Sequence, residues 1–65
     1  MNEAIVLKVG NRFYVETGKK RISTAWSLAG ATLYGAWRED DIHKAEMKLY
    51  KKGYTSERLT VRIDL

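Results

Sequence analysis

Sixty-five residues carry a formal charge of +4 and include no cysteine and no proline. That excludes a disulfide framework, a thiol nucleophile and a cysteine-type zinc site, and the length allows one small domain over residues 1–65 with a modest core. No apolar run approaches the roughly 18 residues that cross a bilayer, and Met1–Val9 lacks the basic start and cleavable apolar core of a secretory leader, so a cytoplasmic protein with no membrane partner is expected.

Up to Arg38 the chain holds Lys8, Arg12, Lys19, Lys20, Arg21 and Arg38 against only Glu3 and Glu16, whereas from Glu39 onward acids and bases balance. An electrostatic partner is therefore expected to approach the first part. A basic surface kept for solubility is the plain alternative.

Residues 4 to 9 alternate, with Ile5, Leu7 and Val9 on one side and Val6 and Lys8 on the other, which is the pattern of a half-buried strand. Phe13, Val15 and Thr17 alternate likewise against Arg12, Tyr14 and Glu16. A two-residue Gly10-Asn11 turn would set these apolar rows on opposite faces, so a three-residue connection, Gly10 to Arg12, is expected, pairing Val9 with Phe13. The next turn, Gly18-Lys19, suits a type II′ hairpin that sets Val15 opposite Ile22, Phe13 opposite Thr24, Tyr14 opposite Ser23 and Glu16 opposite Arg21. A three-stranded meander follows.

The stretch from Trp26 to Gly35 is rich in small residues, and its glycines at 30 and 35 argue against one long helix. Ser27 is placed to cap a single helical turn, with 32–34 extended afterwards. Trp26, Leu28 and Leu33 are expected to plug one end of the core.

A helix from about Glu39 to Lys52 is signalled by Glu39, Asp40 and Asp41 at its start, Lys48, Lys51 and Lys52 at its end, and Gly53 as the left-handed cap. Ala45, Leu49, Ile42 and Tyr50 fall within an arc of roughly 140°, with Lys44, Lys48, Lys51 and Asp41 opposite. Glu46 lies inside that arc and is expected to reach its edge and meet a Lys or Arg. Leu59, Val61, Ile63 and Leu65 then alternate as a last strand, returning beside the meander next to the first strand. The fold class is α+β: a three- to four-stranded, mainly antiparallel sheet, a β-meander plus a final strand, with one main helix on one face and the other face left wet.

The run from Ser23 through Trp26, Gly30 and Tyr34, followed by a charged helix, Lys52-Gly53-Tyr54 and a closing strand, resembles small accessory proteins encoded by bacteriophages and prophages. The resemblance is one of layout over most of the chain and carries over no functional residue. It implies a protein that acts by binding a host or phage component, as anti-CRISPR proteins and other inhibitors used in host takeover do.

Chemistry at a catalytic centre finds little material. His43 is the sole imidazole and stands on a helix flank, the five glycines are too scattered for a phosphate cradle, and Asp40-Asp41 is explained by the helix dipole. Glu39, His43 and Glu46 stand at i, i+4 and i+7, but one helix offers few ligands, so no metal and no cofactor is expected. A non-enzymatic binding protein is the reading. For a protein partner the anchors are large side chains that a small core cannot hide, Tyr14, Tyr34, Trp37, Tyr50 and Tyr54, with Trp37-Arg38 in an exposed turn before the helix. The alternative is a single-stranded nucleic-acid-binding module in which Tyr14 on the wet sheet face stacks a base while Lys8, Lys19, Lys20 and Arg21 meet phosphates. The basic charge argues against an acidic nucleic-acid mimic. Small size and an open last strand also point to a homodimer.

Overall fold

Period-two alternation makes residues 4–9 a strand, and the strand that forms, β1 (Asn2–Val9), is the one on which the sheet is built. The computed structural model describes residues 2–18 and 21–63. In it β1 is followed by β2 (Arg12–Val15), β3 (Ser23–Ala25), a 3-10 turn at Leu28–Gly30, β4 (Tyr34–Gly35), the helix α1 (Glu39–Lys51) and β5 (Glu57–Ile63). Every pairing is antiparallel, and the result is an α+β fold with a five-stranded sheet. β5 runs beside β1 from Asn2↔Ile63 to Lys8↔Glu57, so the last strand returns next to the first. A strand has two edges, so β2 and β4 share the other one, β2 at Lys8 and Val9 and β4 at Ala4 and Ile5. β3 lies beyond β2.

The first hairpin departs from the expected register. Lys8 pairs with Phe13 and Val9 with Arg12, which leaves the two-residue turn Gly10-Asn11. Gly10 takes φ +62° while Asn11 keeps a negative φ, the type II′ pattern with glycine first. The three-residue expectation assumed that only one face of the sheet is apolar. Both are.

On one face Leu7, Tyr14 and Tyr34 form the core with Ile42, Ala45 and Leu49 of α1, and Ile5, Val9 and Ile22 pack against them. Arg58, the strand partner of Leu7, belongs to this face. On the other face lie Ala4 and Val6, with Val61 beside the first and Leu59 beside the second. The final strand thus turns its apolar row away from the helix, and the face expected to be wet is lined with aliphatic side chains.

The second hairpin is also displaced by one residue, pairing Phe13 with Ala25, Tyr14 with Thr24 and Val15 with Ser23. Lys19, in the expected turn, lies outside the described residues. Glu16 explains the shift, because it leaves the ladder for other partners: its N–H donates to Thr32 Oγ1 at 2.7 Å, and its carboxylate accepts the Gly18 N–H at 2.8 Å and the Tyr14 hydroxyl at 3.0 Å.

The connector enters the core through a different side chain from those expected. Trp26, Leu28 and Leu33 are exposed, and Tyr34 is buried instead. The 3-10 turn follows Ser27, whose side chain makes no capping bond. The Thr32 N–H donates to the Tyr14 carbonyl at 3.1 Å, which fastens the connector beside β2 and aims Tyr34 inward.

α1 carries its three acids in the first turn and Lys48 and Lys51 in the last, in accord with the macrodipole. Ile42, Ala45 and Leu49 are its buried residues. Tyr50, expected in the apolar arc, is 74% exposed. The helix ends in a Schellman motif: Gly53, at φ +87°, donates to the Tyr50 carbonyl at 3.0 Å and Tyr54 to the Leu49 carbonyl at 3.0 Å. No described helix is long and apolar enough to cross a membrane.

Candidate functional site

With Ile42, Ala45 and Leu49 turned inward, a rotation of about 100° per residue brings His43, Met47 and Lys51 to the outer ridge of α1. Glu46 and Tyr50 then fall on the flank toward β5, and Lys44, Lys48 and Lys52 on the flank toward the β2–β3 connection. The two flanks differ in chemistry.

Toward β5, Arg58 clasps Glu46 with both arms of its guanidinium, Nη2 at 2.7 Å and Nε at 2.9 Å, and extends Nη1 to Glu39 at 2.9 Å. Glu46 thus reaches a basic side chain, as its place in the helix suggested. Hydrogen bonding from Arg58 holds the Glu46 carboxyl below the usual carboxylate range. This clasp ties the helix to the sheet and leaves a hollow of about 350 Å³ beside it, lined by His43, Glu46, Met47, Tyr50, Tyr54, Thr55 and Ser56. The Schellman turn carries the chain back against the helix and so sets Tyr54 next to Tyr50. Met47, Tyr50 and Tyr54 are 41%, 74% and 45% exposed there.

Toward the β2–β3 connection a groove of about 650 Å³ is lined by Gly18, His43, Lys44, Met47, Lys48, Lys51 and Lys52. Lys44, Lys48 and Lys52 follow one another at about 6 Å of helix rise. Lys48 reaches Glu16 at 3.7 Å and stands 5.7 Å from the centre of the Tyr14 ring. Glu16 is held below the usual carboxylate range, first by the Gly18 N–H. Burial raises the Tyr14 hydroxyl above the usual phenol value and pushes that of Tyr34 up to about 12. The Tyr34 hydroxyl has no hydrogen-bond partner among the described residues.

The residues expected to bind a partner do not form one patch. Tyr14 is fully buried beneath the helix and offers no stacking surface. Its register places it there, since the two-residue turn puts it on the face of Leu7. Lys8 lies on the helix-free face opposite Phe13 and Glu57. Arg21 is exposed, and Lys19 and Lys20 lie outside the described residues. Arg38 bonds Asp41 at 2.8 Å and stands over the Tyr34 ring. Trp37 is 84% exposed, as its turn implied, but it precedes α1 whereas Tyr54 follows it, so about 20 Å of helix separates the two. Of the set, Tyr50 and Tyr54 reach the outer surface described above. Among the described residues no three carboxylate or imidazole groups come together as a metal site would require.

Sequence reasoning passes over Met47 and the lysine row, whereas Tyr50, counted among the large side chains that a small core cannot hide, is 74% exposed. The signal for Met47 was present: it stands on the outer side of a helix rich in lysine.

In comparison with known proteins, no family model matches this chain, and no curated protein and no solved structure is significantly similar to it.

Proposed function

We propose that this chain is a non-enzymatic binding protein that engages a protein partner across the outer side of α1, as a phage-type accessory protein or inhibitor acting on a host or phage component; an anti-CRISPR-like role belongs to this class. The observation that carries the reading is the grouping of Met47, Tyr50 and Tyr54 around one hollow, on a helix fixed to the sheet by Arg58 and closed by a Schellman turn. Rigid, exposed aromatic and methionine side chains beside a charged rim are what protein interfaces use as anchors. The assignment to phage-type proteins rests on layout alone.

A second reading, binding of single-stranded nucleic acid, is favoured by the groove of Lys44, Lys48, Lys51 and Lys52 beside Gly18. In this form the lysines meet phosphates and Tyr50 replaces Tyr14 as the stacking residue. Tagged protein used to capture partners from bacterial lysate, with and without nuclease, separates the two. Retention of one defined protein after nuclease treatment, lost in Tyr50→Ala or Tyr54→Ala, supports the first reading. Loss of all retained material with nuclease, joined to salt-sensitive binding of short single strands, overturns it in favour of the second.

A further inference from the structure

Ala4 and Val6 are 3% and 0% exposed, yet neither belongs to the core cluster beneath α1. They occupy the helix-free face of the sheet, where strand register sets Val61 beside Ala4, Leu59 beside Val6 and Ala25 beside Phe13. Phe13, Leu59 and Val61 are only half-buried there. Trp37 stands at the rim: a Cβ added to Gly35, the strand partner of Ala4, would come within 2.7 Å of the Trp37 ring, so the indole lies over that glycine.

We propose that this face packs against the same face of a second copy of the chain, giving a two-fold homodimer with stacked sheets inside and both helices outside. Charge selects the occupant. Every copy carries +4, and the lysine flank of α1 would repel its own kind, but the charged strand positions on the helix-free face are Lys8 and Glu57, each the strand partner of the other. Among the described residues the face is thus neutral and self-compatible, which an isologous contact requires. Size argues the same way. Among the described residues eight apolar side chains are fully buried, and association is one way in which a core this small gains further stability. β5 and β1 run seven and eight residues but β2 and β3 only four and three, so four adjacent strands about 4.8 Å apart give a tapering footprint of roughly 350 Å². Two such faces bury on the order of 700 Å², below the size of a stable specific interface, so the dimer should be weak and dissociate on dilution. Because the helices point outward, each copy keeps its own outer α1 surface free, and the assembly is bivalent toward a partner.

Sedimentation velocity across a dilution series tests this, together with Leu59→Lys and Val15→Lys on the face and Met47→Lys on the helix as control. The expected result is a mass that rises from one chain to two with concentration, a midpoint moved at least about tenfold higher by either face variant, and no change for Met47→Lys. A second measurement does not depend on those variants folding. Since the chain has no cysteine, Ser23→Cys accepts a single spin label at the edge of the face, and mixing it with isotope-labelled wild-type protein should broaden the amide signals of Val6, Phe13 and Leu59 and spare His43 and Met47. Wild-type protein that stays one chain at every concentration, or broadening confined to α1 or absent, would overturn the proposal.

Discussion

Phe13 stands opposite Lys8 across the first hairpin, so Tyr14 rather than Phe13 enters the core beneath α1. Tyr14 is fully buried, and its hydroxyl bonds Glu16 at 3.0 Å. Truncation should therefore cost as much as loss of a large aromatic core residue: Tyr14→Ala is expected to lower unfolding free energy by about 3–5 kcal/mol. Tyr14→Phe, which removes one hydrogen bond, should cost about 0.5–1.5 kcal/mol. Urea denaturation followed by circular dichroism measures both. A Tyr14→Ala protein as stable as wild type would mean that this side chain lies on the surface.

Gly53 holds φ +87°, a conformation that costs an L side chain about 1–2 kcal/mol. Gly53→Ala should lose that much stability and loosen the bond from the Tyr54 N–H to the Leu49 carbonyl. Faster hydrogen exchange at Tyr54, with exchange in β1 changed only by the global loss, is the expected pattern.

Acid should weaken the clasp between helix and sheet. Glu46 titrates below the usual 4.5 when folded because Arg58 hydrogen-bonds its charged form. A lowered carboxylate contributes its stability above the unfolded value and loses it as pH falls through the folded one, so the loss should appear below pH 4.5. Arg58→Met removes the cause. The drop in denaturation midpoint between neutral and strongly acidic buffer should be smaller in that variant than in wild type, with the remainder owed in part to Glu16, which is lowered as well.

The strands and the helix were legible because period-two and 3.6-residue patterns survive in sequence without knowledge of partners. Register was not. Phe13 and Leu7 are both apolar, and bringing them onto one face seemed to demand a longer turn, but in a sheet with two apolar faces that demand disappears and the glycine-first two-residue turn forms. Glu16 misled in the same way: its charge suggested a cross-strand partner in Arg21, while its geometry favours the Gly18 N–H and the Tyr14 hydroxyl. Of the candidate site, Tyr54 and the exposure of Trp37 could be read from their places beside the helix. The hollow could not, since it requires the Schellman turn to fold Tyr54 back against Tyr50.

The outer surface of α1 is the centre of the functional proposal, and one titration addresses it most directly. The captured partner is titrated at two salt concentrations against wild-type protein, Met47→Ala, Tyr50→Ala, Tyr54→Ala and the double variant Lys44→Gln/Lys51→Gln. A protein interface anchored in the hollow predicts that at least one of the three truncations loses about 2 kcal/mol or more of binding free energy, while the lysine variant chiefly slows association and weakens its salt dependence. Full affinity in all three truncations, with binding that collapses in moderate salt and in the lysine variant alone, would contradict it.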